Sequence, residues 1–249
     1  MSSPAPILRR AFAEFLGTGL LVTVVVGSGI AASRLSTDVG LQLLENSIAT
    51  AFGLAVLILM FGPVSGAHFN PVVSLADWFL GRRQRVGLTL PAVGVYVVAQ
   101  VLGAIGGAVL ANLMFDVPTT FSTHDRATPA TLLAEVVATA GLVLLIIALA
   151  RTGRGAAAAP AVGAYIGAAY WFTSSTSFAN PAVTVGRLFS DTFAGIAAGS
   201  VLPFIGAQLV GMALAIALAV LLFPHVTDAA EEIVIPQLDD KLLDDKETR

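Results

Sequence analysis

A chain of 249 residues with 56% hydrophobic and only 12% charged side chains has a mean hydropathy of +0.86, about half the charge of an ordinary soluble domain. Polar surface that scarce cannot coat a water-soluble globule, so the lipid bilayer is the solvent the composition demands. Cys is absent, which excludes disulfides, thiolate metal sites and cysteine nucleophiles, and His68, His124 and His225 lie too far apart for ligand spacing; no metal and no cofactor is expected.

The net charge of −3 is spread unevenly. From Thr227 onward eight acidic residues face three basic ones, whereas the rest of the chain holds ten Arg against eight acids. Residues 227–249 read as a solvated, disordered cytoplasmic tail beyond a single membrane domain, 1–226.

In chain order, "RRAFAEFLGTGLLVTVVVGSGIAAS" has the basic front and small-residue rear of a cleaved signal peptide. Its apolar stretch is long enough to span and an internal copy recurs, which favours a retained first span. About 20 apolar residues cross a hydrocarbon core, and six stretches meet that condition approximately: Ala11–Ala32, Leu43–Gly62, Leu88–Phe115, Ala130–Ala150, Ala157–Phe172 and Gly199–Phe223. The fifth is short and must borrow from its flanks.

Two further stretches, "HFNPVVSLADWFLG" and "SFANPAVTVGRLFS", fit no span. Asn before Pro is a helix start signal, the Asn capping and the Pro opening the first turn. About ten helix-compatible residues after each Pro give about 15 Å, half a bilayer. The first lies between spans two and three, the second between spans five and six, so they enter from opposite faces.

Seven Arg (Arg9, Arg10, Arg82, Arg83, Arg85, Arg151, Arg154) fall on one side of these spans and three (Arg34, Arg126, Arg187) on the other. The positive-inside rule then puts both termini in the cytoplasm of a multi-pass protein of the cell membrane.

The halves echo one another. "AEFLGTGLLV" from Ala13 answers "AEVVATAGLV" from Ala134, Asn70-Pro71 answers Asn180-Pro181, and "AQVLG" from Ala99 answers "AQLVG" from Ala207. Three spans per half is odd, so the second copy runs upside down: inverted repeats over about 9–115 and 129–224, with the site at the midplane where the broken segments meet. The expected fold is all-α and integral to the membrane, six transmembrane helices plus two re-entrant half-helices.

Opposed half-helices place two positive dipole ends at the midplane, and irregular backbone at that depth must line a wet cavity or be buried in protein. A cation arriving there meets positive potential from both directions. A neutral hydroxylated molecule meets the amide donors of Asn70 and Asn180 at little cost, which describes a passive pore for uncharged solutes. Glu14 and Glu135 sit inside apolar spans, where each would cost about 2.5–3.5 kcal/mol facing lipid. Their equivalent stations favour a scaffold role, accepting hydrogen bonds from the re-entrant loops, over a proton relay. His68 reads as a loop-packing imidazole or a pore-facing gate, and Gln100 and Gln208 as interhelical glue. An ion-coupled transporter built from inverted repeats is the competing class; its carboxylates would have to be Glu14 and Glu135. No nucleophile–base set, phosphate loop or nucleic-acid patch is apparent, so no enzyme and no nucleic-acid partner is expected.

Taken together, "AEFLGT", "SGAHFNPVVS", "AQVLGA", "AEVVAT", "SFANPAVT" and "AQLVGM" resemble the aquaporin, or major intrinsic protein, family from Ala11 to Phe223. The resemblance implies an hourglass pore in each protomer of a homotetramer, with Asn70 and Asn180 as the paired pore asparagines and Pro71, Val72, Pro181 and Ala182 completing their motifs. Val72 departs from the usual Ala. The family's outer filter maps by spacing onto Thr50, Ala168, Ser177 and Val183, with Val183 standing where the family has an Arg. A fixed charge about 4 Å from a passing cation repels it by about 4 kcal/mol at an effective dielectric of 20, and Val183 forfeits that barrier. The resemblance is to bacterial broad-filter members, which implies glycerol-like polyols or neutral metalloid hydroxides such as arsenous acid, with water; a water-selective channel is the alternative. Arg187 lies one turn beyond Val183, about 6 Å along the half-helix. It can lean into the outer vestibule, snorkel to the surface, or pair with Asp191.

Overall fold

A computed structural model describes residues 5–82 and 85–223. Arg83, His225 and the acidic tail from Thr227 lie outside the described residues. Within them the chain is helical and without strands: α1 (Ile7–Leu35), α2 (Val39–Ser65), α3 (Pro71–Gly81), α4 (Leu90–Met114), α5 (Pro129–Arg151), a 3-10 turn (Gly155–Ala157), α6 (Ala158–Phe172), α7 (Pro181–Arg187) and α8 (Ala198–Leu222). Among the described residues five of these, α1, α2, α4, α5 and α8, are long and apolar enough to cross a membrane; α6 is a shorter sixth span, and α3 and α7 are half-helices.

Local chemistry explains where most helices begin. Asp38 accepts from the Leu41 N–H at the head of α2, Thr89 from Ala92 at α4, and Thr128 forms a reciprocal capping box with Thr131 at α5. Pro occupies the first turn of α3, α4, α5 and α7, where its missing N–H has no helical partner to lose. α2 ends on Gly66 at φ 89°, a left-handed turn that spares a Cβ and sends the chain back toward the midplane.

Two expectations are corrected. α1 and α2, at 29 and 27 residues, outrun their hydropathy boundaries because largely exposed turns carrying polar residues, Arg9 and Arg34 on α1 and Gln42 on α2, continue each helix past the apolar stretch. α7 has seven residues, about 10 Å of helix rather than 15 Å. It closes with 3-10-type bonds from Leu188 to Val185 and from Phe189 to Gly186, and Ser190, hydrogen-bonded to Asn112 on α4, turns the chain outward. α6, at 15 residues, is extended at its start by the 3-10 turn.

Close helix crossings set the frame. A Cβ on Gly103 would stand 2.2 Å from the Phe15 carbonyl oxygen and one on Gly107 2.0 Å from that of Gly19, so α1 and α4 touch backbone to backbone. Gly211 of α8 meets the Val136 carbonyl of α5 in the second half, at 2.6 Å from an added Cβ. Without a hydrophobic drive in lipid, such small-residue contacts are how helices gain dispersion energy. Large apolar side chains, Phe52, Leu102 and Leu214 among them, point outward, while Glu14, Gln100, Glu135 and Gln208 are fully buried. This inside-out distribution leaves a polar axis inside an apolar jacket.

Candidate functional site

Alternation of the six spans puts the starts of α1, α4 and α6 and the ends of α2, α5 and α8 on one face, the terminal face. α3 runs from the middle to that face and α7 from the middle to the opposite one. Their N-termini meet inside, headed by Asn70 and Asn180.

Each asparagine works twice. The Asn70 carbonyl oxygen accepts from the Val72 N–H, and its amide donates to the Ala179 carbonyl at 2.8 Å. The Asn180 oxygen accepts from Ala182 and Val183, and its amide donates to the Phe69 carbonyl, also at 2.8 Å. Each amide thus ties its own helix to the loop that precedes the other. A carboxamide has two N–H donors. One is spent on the opposite loop, and the second is left for the lumen.

The loops reach this arrangement through unusual backbone. Ala67 and Phe69, three and one before Asn70, have φ 50° and 50°; Ser177 and Ala179, three and one before Asn180, have φ 51° and 48°. Left-handed residues other than Gly cost of order 1–3 kcal/mol each, and the same register in both halves marks a shared construction. The buried carboxylates offset that cost. Glu14 accepts from Ser65 Oγ (2.6 Å), the His68 and Phe69 N–H groups (3.0 and 2.6 Å) and Gln100 Nε2 (2.8 Å). Glu135 accepts from the Phe178 and Ala179 N–H groups (2.9 and 2.8 Å) and Gln208 Nε2 (2.7 Å). The glutamines finish the bridge to the half-helices, Gln100 to Ser74 on α3 and Gln208 to Thr184 on α7. His68 Nδ1 lies 3.0 Å from Ser74 Oγ, with its ring edge-on to Tyr96, and it also borders the lumen.

One cavity runs past both asparagines. Toward the terminal face it is walled by Ile58, Ile146, Ala158 and Val162; at the middle by His68, Phe69, Val73 and Ala179; toward the opposite face by Thr50, Ile166, Tyr170, Ser177, Val183 and Arg187. The walls are mostly aliphatic, so polar atoms are few and concentrated along the asparagine–loop stripe.

The stations assigned by spacing divide. Thr50, Ser177 and Val183 border this cavity, near its non-terminal end. Ala168 does not: it is exposed on the outer side of α6. Helical geometry gives the reason. Residues rotate by about 100° each, so Ala168 lies about 200° round from both Ile166 and Tyr170, the α6 residues that do face inward. Ungapped counting back from Asn180 thus gives an α6 residue that does not border the cavity, between two, Ile166 and Tyr170, that do. Tyr170, which sequence reasoning missed, puts its hydroxyl 3.1 Å from Thr50 Oγ1. Ala158, Val162, Ile166 and Tyr170, four residues apart, all lie on the lumen side, but α6 is apolar on every face, so nothing in its hydropathy singles that stripe out.

Arg187 is neither surface-directed nor paired with Asp191. It is 3% exposed, its Nε donates to the Ala194 carbonyl, and its guanidinium carbon lies 3.5 Å from the centroid of the Phe178 ring. Arg126 approaches the same ring at 5.4 Å and donates to the Gly195 and Phe193 carbonyls at 2.6 and 2.9 Å. Two guanidiniums therefore clamp the loop that follows α7. Asp191 is engaged elsewhere, accepting from the Thr123 N–H and hydroxyl at 2.9 and 3.1 Å. Those bonds hold its carboxyl below the usual carboxylate range.

Comparison with known proteins agrees with this geometry. The family model described as "Major intrinsic protein" matches residues 1–178. Aquaglyceroporin AqpS of Rhizobium meliloti (strain 1021) is 52% identical over 214 residues, covering 85% of this chain and 89% of its own length. Propanediol uptake facilitator PduF of Citrobacter freundii is 32% identical over 186 residues, 64% of this chain and 65% of its own. The X-ray structure of the aquaglyceroporin from Plasmodium falciparum covers 86% of this chain and 93% of that one with a TM-score of 0.60 and 21% identity, a likeness of fold.

Proposed function

The chain belongs to the major intrinsic protein family, and from that premise we propose that its lumen is a wide-filter path for glycerol-like polyols and neutral metalloid hydroxides such as arsenous acid, with water in the same file. Membership makes it a passive multi-pass membrane channel for small neutral solutes and not an enzyme. The finer reading concerns which solutes pass.

The observation that carries it is the composition of the wall beside Asn180. There Val183 and Ile166 present aliphatic surface and Thr50 and Tyr170 present hydroxyls, while the Ser177 oxygen is turned away and buried. Such a wall takes a solute with a hydrocarbon edge and several hydroxyls, each dehydrated hydroxyl finding a partner while the carbon side meets apolar atoms. An isopropyl group at Val183 is also shorter than a guanidinium, leaving room for molecules larger than water. The names of the relatives point the same way, one an aquaglyceroporin and one a propanediol facilitator.

The proposal extends to the rest of the architecture: Asn70 and Asn180 as the pore asparagines, Glu14 and Glu135 as supports of the loops, both termini in the cytoplasm, and a homotetramer in the membrane. Stopped-flow measurements on proteoliposomes with water, glycerol, urea and arsenous acid test the solute range. Glycerol and arsenous acid should cross far faster than through empty vesicles. Water flux alone above the empty-vesicle rate would assign the chain to water-selective channels instead.

A further inference from the structure

Val183 leaves the lumen without a cation at the position three residues after Asn180, yet one side chain farther along α7 does carry a charge to the cavity wall. Arg187 is almost wholly buried, borders the same cavity as Asn180, Ser177 and Val183, and is fixed by the Ala194 carbonyl and the face of Phe178. Only Nε is used in that anchoring. Among the described residues neither terminal nitrogen has a protein acceptor within hydrogen-bond geometry, and neither is sealed from solvent as a buried orphan. Nor, among the described residues, does any carboxylate neutralise it: Asp191 is engaged by Thr123 and lies 3.7 Å from His124. A buried, unpaired guanidinium is expensive and persists where a water-lined path solvates it.

We propose that Arg187 adds a cation-excluding charge to the field of the opposed half-helices: it acts on the lumen one helical turn outside Val183, so that steric width and side-chain electrostatic exclusion are divided between two residues. The assignment rests on the channel reading above. Val183 sets the room available beside Ser177 and Tyr170. Arg187 adds to the potential, and its free N–H groups offer donors to a hydroxylated solute leaving the ring. Phe178 is the positioning residue, because stacking on its ring fixes the guanidinium at the cavity wall.

The test uses the full-length chain in proteoliposomes with three versions: wild type, Arg187→Gln and Arg187→His. Cation leak is followed by vesicle-trapped pH- and sodium-sensitive dyes, and water and glycerol flux by light scattering. Arg187→Gln is expected to raise cation leak about tenfold or more, the order expected for losing a fixed unit charge a few ångströms from the path. Arg187→His is expected to exclude cations near pH 5 and to leak near pH 8, a titration that a purely structural role for the side chain would not produce. It carries the test even where the Gln version fails to fold. Water-conducting variants whose cation leak stays at the wild-type level, or a His variant whose leak ignores pH, would overturn the assignment. Wild-type vesicles no more permeable to water and glycerol than empty ones would instead refute the channel reading itself.

Discussion

The amide of Asn70 and the carbonyl of Ala179 are joined by a 2.8 Å hydrogen bond that has its mirror image between Asn180 and Phe69. The two halves of the chain are therefore latched at the midplane by the same two side chains that cap the half-helices. Removing either one should cost more than a surface cap. Asn180→Ala forfeits the bonds from Ala182 and Val183 and strands the Phe69 carbonyl, a loss of about 2–4 kcal/mol. Asn70→Ala, with one capping bond to lose, should cost no more. Melting of the detergent-solubilised protein gives the order.

The carboxylates should be the least replaceable polar groups. Glu14 receives four hydrogen bonds and Glu135 three, and bonds to a charged acceptor are worth about 1.5–3 kcal/mol each. Glu14→Ala is expected to abolish folding or lower stability by about 4 kcal/mol or more, with Glu135→Ala somewhat milder. Glu14→Gln should fall between, because one end of the amide donates where the loop also donates. Yield of folded protein and the melting midpoint measure this. A glutamate-to-alanine variant as stable as wild type would dismiss the scaffold role.

Solute selectivity should respond to Tyr170 and ignore Ala168. Tyr170→Ala opens the wall beside Thr50 and releases its hydroxyl, so glycerol flux relative to water should rise severalfold, on the scale of about 1 kcal/mol for one lost hydrogen bond. Ala168→Phe, on the outer side of α6, should leave the ratio unchanged. The reverse pattern would restore the register obtained by counting back from Asn180.

The crossing of α1 and α4 tolerates no side chain at its centre. Gly107→Val would drive atoms into the Gly19 carbonyl, already only 2.0 Å from a Cβ, and would disturb the Thr23 hydroxyl that donates to Gly107 O at 3.0 Å. Overpacking of this kind costs about 1–3 kcal/mol or more, and it should appear as loss of folded protein from the membrane fraction.

A pH effect is expected in the loops on the face opposite the termini. The bonds from Thr123 lower the Asp191 pKa, so folding favours the carboxylate. That contribution is complete above the ordinary Asp value of about 4 and fades as pH falls through the lowered folded value. Protection of the Thr123 amide from exchange, corrected for the intrinsic rate, should decline over that acid range. Asp191→Asn should show the lower protection even at neutral pH.

Much of this molecule was legible before any coordinates. Hydropathy marked the spans, Asn-Pro marked two helix starts away from any span, and the paired "AE…G" and "AQ…G" segments carry the buried Glu and Gln that hydrogen-bond to the loops and to each other. All of these obey local rules: a cap, a fixed proline φ, or a burial cost that depends on a residue's own chemistry and near neighbours. The length of α7 was less legible, because its end is set by Ser190 reaching Asn112 on another helix.

What the sequence by itself determined, then, is the set of elements, their pseudo-symmetric pairing and the polar residues that hold the midplane together. The tertiary structure alone decided which side chains touch the lumen. On α6 a two-residue shift turns a side chain about 200°, exchanging Tyr170 for Ala168, and hydropathy is uniform around that helix and cannot choose. At Arg187 the choice among lumen, surface and Asp191 depended on where the Ala194 carbonyl and the Phe178 ring would stand. Those positions follow from packing between distant segments, which no local pattern records.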